Sequence, residues 1–334
     1  MSDKKHSLRR TLVGGLFSIA ILGIAAFISL NQQYVKDQIT VWSYKVPANV
    51  QSIESRIDFS SKGKFFFYAT QPEVDGSDKF NADCPRQEVG NPILGCYSSG
   101  RIYVYDVTNT QLDGIEEVTA AHEMLHAVWE RMSDADHTRI GALLDAEYKT
   151  LGANTDLTER MSYYQRTEPG QFENELHSIL GTEIGSLSPE LETYYKQYFN
   201  DRQKVVDLHS KYNTLFMNLK QQSDSLYSEL TTLGASIEAR SAKYDTDVKQ
   251  LSADITSFNT RAKNSDFSSI NQFNSQRTAL LARSNQLDTD RASISADIDT
   301  YNAKYAAYQT ISTEIETLNK SIDSIKDLQP APSV

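Results

Sequence analysis

The stretch Val118-Thr119-Ala120-Ala121-His122-Glu123-Met124-Leu125-His126-Ala127-Val128 decides how this chain is read. Residues four apart on an α-helix lie about 40° apart around its axis, so the His122 and His126 imidazoles share one face and can reach a single metal ion. Glu123 would stand beside the ion's open position, where it could take a proton from bound water. The chemistry requires a helix here, and the flanking sequence supplies one. Arg101-Ile102-Tyr103-Val104-Tyr105-Asp106-Val107 alternates and is rich in β-branched and aromatic residues, which predicts a strand. A turn over residues 108–114 follows, with Asp113 as the expected N-cap of a helix starting near Gly114 and Glu116 in capping-box register.

With these residues in view, the stretch resembles the active-site helix of the zincin metallopeptidases. That pattern favours Val or Thr three positions before the first histidine, uncharged residues around the pair, and an apolar residue two positions after the second. Thr119, Ala120, Met124, Leu125, Ala127 and Val128 fit it. The resemblance spans about residues 60–200 and is specific around the helix. It implies a small α+β metallopeptidase domain, a zinc ion on His122 and His126, and Glu123 as the catalytic base. The metzincin branch is excluded, because Trp129 and Met132 stand where its glycine and third histidine would be.

The gluzincin arrangement, in which a glutamate on a later helix completes the site, fits better. Phe172-Glu173-Asn174-Glu175-Leu176-His177-Ser178-Ile179-Leu180 has apolar residues at helical spacing with two acids beside them. Glu175 and Glu173 flank the apolar stripe on opposite sides, so periodicity does not choose between them. Glu175 is the preferred ligand and Glu173 the alternative. Gluzincins often place an acid four positions after the ligand to orient a zinc histidine. Here that position holds Ile179 or His177, which leaves the orienting group unassigned. His177, Tyr163 and Tyr164 are the candidates for stabilising an oxyanion, as some zincins use a His or Tyr there.

Residues 1–10 carry Lys4, Lys5, Arg9 and Arg10, and the twenty residues 11–30 that follow have no charge. Such a run can cross a bilayer core of about 30 Å as a helix. The positive-inside rule then keeps residues 1–10 cytoplasmic and puts the rest outside. An uncleaved anchor is preferred to a cleaved signal peptide, whose apolar run is about 7–15 residues long. In an oxidising exterior the only two cysteines, Cys84 and Cys96, are expected to form a structural disulfide within a loop-rich stretch.

Upstream of the strand, Lys64-Phe65-Phe66-Phe67-Tyr68-Ala69-Thr70 reads as a second, buried strand, with a helix over residues 46–58 before it. By resemblance, residues 102–107 are the sheet edge that would pair with extended substrate. Downstream the chain reads as helical, with breaks at Ser133-Asp134, residues 152–155, Pro169-Gly170 and residues 186–189. His137 and His209 read as solvated. The domain of residues 31–200 gives way to residues 201–328, whose apolar residues keep a heptad seam from Leu226 to Ala262 and again from Ile294 to Ile325. Residues 264–269 break the seam, so two helices are expected to fold back as an antiparallel coiled-coil hairpin. Residues 329–334 read as a disordered tail.

A formal charge of −11, with no basic stripe beyond residues 1–10, argues against nucleic acid as a partner. The expectation is a membrane-anchored, extracytoplasmic zinc metallopeptidase that takes a peptide or protein substrate. Its coiled coil would bind a protein partner or control access to the cleft. The alternative is a cell-surface coiled-coil scaffold with an inactive or structural zinc domain.

Overall fold

A computed structural model describes residues 3–85, 93–152, 154–167 and 169–324. Its elements in chain order are α1 (Asp3–Leu30), α2 (Gln32–Ser43), α3 (Ala48–Ile57), α4 (Ser61–Ala69), β1 (Glu73–Asp75), α5 (Ser77–Asp83), β2 (Gly95–Ser98), β3 (Arg101–Tyr105), α6 (Ile115–Glu130), α7 (Asp134–Thr150), α8 (Thr155–Thr167), α9 (Phe172–Thr182), α10 (Pro189–Tyr195), α11 (Gln203–Lys263) and α12 (Ile270–Ile322). The chain is mostly helical, with one small three-stranded sheet. Two compact units divide it: Met1–Thr214 with Leu318–Val334, and Leu215–Thr317.

The core of the first unit is built around α6. Ala120, Ala121, Met124, Leu125 and Val128 are buried on it, against Leu176, Ile179 and Leu180 of α9 and Ile140 and Leu144 of α7. Helix α9 comes close to α6 at Gly181, where a methyl group would meet Leu125 Cδ1 at 2.4 Å and the Tyr195 ring at 2.8 Å. Arg202, itself buried, fastens this same end of α9 and the loop after it by donating to the carbonyls of Leu180 (3.3 Å), Ile184 (2.7 Å) and Gly185 (3.1 Å). The Leu180 carbonyl is one that a helix end leaves without an intrahelical donor. The core extends past residue 200 into the first turns of α11, where Val205 and Val206 are buried. The unit built around α6 therefore claims residues expected to belong to the hairpin.

Several expectations on local structure are corrected. Residues 64–70 are helix α4 rather than a strand: the Ser60 side chain accepts from the Gly63 N–H and caps the helix, and the aromatic run packs from a helical face, with Phe67 in the core. The sheet runs β1-β3-β2, with β1 parallel and β2 antiparallel to β3, so β3 is central and the edge on the Cys96 side is β2. Helix α6 is not capped by Asp113. Gly114 holds the N-cap at φ 102°, a left-handed conformation suited to glycine. Asp113 instead pairs with Arg56 (2.9 Å) and Lys211 (2.7 Å), and Glu116 accepts from the Val107 N–H at 2.8 Å. Cys84 and Cys96 are disulfide-bonded beside a small cluster of Phe80, Tyr103 and Tyr105.

In the second unit α11 and α12 run antiparallel. Arg240 reaches Asp297 and Ser293, Lys304 reaches Glu229, and Arg283 reaches Asp254. Their turn holds Phe258, Phe267 and Phe273 in mutual ring contact. Among the described residues no single helix is long and apolar enough to cross a membrane. The pair Leu16–Leu30 and Gln32–Ser43, bent by 90°, meets the criteria together. Residues 329–334 lie outside the described residues, as do the side chains of residues 1–10.

Gly181→Ala tests whether the α6–α9 approach is as tight as this packing requires. Overpacking a well-filled core there should cost about 1–3 kcal/mol in urea unfolding, whereas a Gly100→Ala control, whose added methyl meets no neighbour, reports only the strain of its own turn.

Candidate metal centre

One face of α6 presents His122, Glu123 and His126, whose possible ligand atoms lie within 4.8 Å of one another, so the group can hold a metal ion. Helix α9 brings Glu175 over the same face. One Glu175 oxygen is 3.5 Å from His122 Nε2 and the other is 3.5 Å from His126 Nε2. Glu175 is buried, and its Oε2 has no hydrogen-bond partner. A buried carboxylate oxygen without a donor is costly unless a cation answers it, so this donor set fits a metal. Behind the face, His126 Nδ1 is held by Asn174 Oδ1 at 2.9 Å and lies 3.3 Å from Ser178 Oγ. When Nδ1–H is donated to Asn174, Nε2 is free to give its lone pair to a cation on the Glu175 side.

Glu123 is buried beside this pair. Burial pushes its carboxyl up to about 7, the Glu175 carboxylate adding to the rise and the His126 ring and a hydrogen bond from the Tyr97 backbone opposing it. Strand β2 can pass this close to α6 only because Gly95 lacks a side chain. A Cβ there would lie 2.5 Å from Thr119 Cγ2 and 3.0 Å from the Glu123 carboxylate.

The remaining predicted residues are separated by the fold. Glu173 is exposed and turned to α7, where its carboxylate lies 2.9 Å from a Cβ built on Gly141, away from the histidines. His177 is wholly buried; its Nε2 pairs with the Tyr194 hydroxyl at 2.8 Å and its ring lies against Trp129 and Tyr195. It is packed in the core rather than open to a substrate. Tyr164 lies near the site: burial raises its hydroxyl pKa, and the charges of Glu175, Arg160 and Glu123 all act on it. Tyr163 packs edge-on against Tyr164. The two histidines expected in solvent are both engaged, His137 with the Trp129 carbonyl at 2.9 Å and His209 with Glu183 at 3.2 Å.

Sequence reasoning did not single out Asn174 and Ser178, because the group that orients His126 sits one residue before and three after Glu175 rather than four after it. It also missed an ion pair at the end of α6, where Arg131 donates to Asp37 (2.8 and 3.1 Å), the Tyr97 hydroxyl (2.8 Å) and the Ala127 carbonyl (2.9 Å). An arginine in the last turn of a helix suits its carbonyl ends and dipole, which is the one local signal for it. Compared with known proteins, the chain matches no family model, no curated protein and no solved structure.

Close to the metal helix, Arg160 of α8 donates to Glu183 at 2.5 and 2.9 Å, with His209 on the same carboxylate. Burial alone would raise Glu183, but the hydrogen bonds and charges of Arg160 and His209 hold it well below the usual carboxylate range. The stabilisation is therefore complete above the ordinary value near 4.3 and is lost as pH falls through the lowered one. Glu183→Gln should cost about 2 kcal/mol at pH 7, a figure reduced because Arg160 is partly exposed. In urea unfolding the gap from wild type should narrow as pH drops below about 4. A gap that widens in acid would contradict this origin.

Proposed function

We propose that the chain is a membrane-anchored, extracytoplasmic zinc peptidase of the gluzincin type, with His122, His126 and Glu175 as the metal ligands. The observation that carries this reading is the Glu175 carboxylate, 3.5 Å from both Nε2 atoms of a His-Glu-x-x-His helix, with one oxygen otherwise unbonded. Two neutral imidazoles and one carboxylate form the N/O donor set that suits zinc and leaves a position open for chemistry. Zinc, when bound there, supplies Lewis acidity and lowers the pKa of water beside it toward ~7.

Glu123 is the residue of this chain that moves the proton. Its carboxyl, buried within reach of both histidines, takes a proton and returns it to a leaving amine. Glu123 also lies within reach of the histidines, but it accepts from the Tyr97 backbone, whereas Glu175 Oε2 has no other partner; Glu175 is therefore assigned as ligand and Glu123 as base. Tyr164 is the candidate hydroxyl for stabilising oxyanion charge. Among the described residues strand β2 has β3 on one side only, with Glu123 beside Gly95, so its other side offers backbone groups to an extended peptide. The exterior location is supported by the Cys84–Cys96 disulfide and by basic residues ahead of the uncharged run 11–30.

The reading is tested with full-length protein in detergent and an unstructured protein substrate. Glu123→Gln should lower cleavage by about 10²–10⁴-fold while leaving the metal bound, and Tyr164→Phe should lower kcat by about 10²-fold with KM little changed. Unaltered cleavage by Glu123→Gln would sink the mechanism.

A further inference from the structure

The outward face of α2 is apolar, with Val35 half-buried and Ile39 and Trp42 exposed. Val35, Ile39 and Trp42 recur at helical spacing within about 60° of one another around the axis. Ile39 is 57% exposed and Trp42 is 78% exposed. The opposite side of α2 is fixed to the domain: Asp37 is buried, accepts from Gln33 at 2.8 Å and takes Arg131 of α6 as a two-point ion pair. Tyr34 rests against the Phe65 ring of α4, 5.8 Å between centroids. The stripe is therefore held outward by the domain's own packing.

What covers it follows from the segment before it. At Asn31 the chain turns by 90° from the helix ending at Leu30 into α2. If α2 continued the line of α1, Trp42 would stand about 18 Å beyond Leu30, well past a headgroup layer only several ångström thick. The bend keeps all of α2 at one level, where α1 would leave the hydrocarbon. Between Leu30 and Asn49 the charged residues are Lys36, Asp37 and Lys45; Asp37 is buried, and Lys36 and Lys45 are exposed. A Trp-bearing apolar stripe flanked by lysines matches an anionic lipid surface.

We propose that α2 is an interfacial helix, lying in the headgroup layer on its Val35–Ile39–Trp42 face and seating the metal-centre unit against the bilayer through Asp37–Arg131. This rests on the reading of residues 11–30 as an anchor and goes beyond it, since an anchor alone leaves the domain free on its tether. Arg131 also bonds Tyr97 of β2, so the membrane seat is joined to the strand beside Glu123.

The test uses full-length protein reconstituted into phosphatidylcholine–phosphatidylglycerol vesicles whose lipids are brominated near the headgroup end of the acyl chain. The chain has two tryptophans, Trp42 and Trp129. Trp129 lies against His137 and His177, with centroids at 4.7 and 5.2 Å, inside the folded unit. Trp42→Phe alters an exposed position and leaves the packing intact. The seat predicts protein that floats with the vesicles, bromine quenching of wild-type emission, and loss of the quenched component in Trp42→Phe. Flotation without quenching, or the same quenching in Trp42→Phe, overturns the seat and leaves the anchor standing. Protein that does not float overturns both.

Discussion

The contact on which the candidate metal centre depends is the approach of α9 to α6, at Gly181 against Leu125. Helix α9 carries Glu175 on the turns before that point, so the separation at Gly181 sets how far the carboxylate stands from His122 and His126. Arg202 fixes that same end of α9 and the loop after it through the Leu180, Ile184 and Gly185 carbonyls, and Asn174 in the first turns of the helix grips His126 from behind. One helix thus contributes the facing carboxylate and the group that orients an imidazole. A site built this way on two rigid elements keeps its geometry better than one carried on loops.

Electrostatics give the same face its character. Glu123 and Glu175 are two carboxylates buried near each other, and the nearest strong cation, Arg160, is already engaged by Glu183. Two acids in a poorly solvated site raise each other's pKa unless positive charge is supplied. The Glu175 carboxyl lies below its ordinary value although burial would raise it, because a hydrogen bond with His122 and the charges of His126, His122 and Arg160 favour its charged form. Glu123, farther from that help, bears the penalty. The pair is divided into one acid suited to hold a cation and one suited to exchange a proton.

Much of this was legible in the sequence because it is local. Two histidines on one helical face follow from spacing alone, as do the Ser133 and Pro189 helix starts and the turn at residues 264–269. What was not legible depends on neighbours distant in the chain. The run at residues 64–70 carries four aromatic residues and suits strand or helix equally; the Ser60 cap decides it. The strand read over residues 101–107 is found over 101–105, and it is central rather than an edge, since β1 and β2 are too short to announce themselves. Glu173 and Glu175 flank one stripe symmetrically, and only the packing of α9 between α6 and α7 turns Glu173 toward Gly141 and Glu175 toward the histidines. Asn174 follows no spacing rule at all.

The most direct test of the central claim is the zinc content of purified full-length protein, measured by elemental analysis after reconstitution. The account predicts about one zinc per chain, lost in His126→Ala and Glu175→Ala and kept in Glu173→Ala. No zinc in the wild type, or loss in Glu173→Ala with retention in Glu175→Ala, would contradict it.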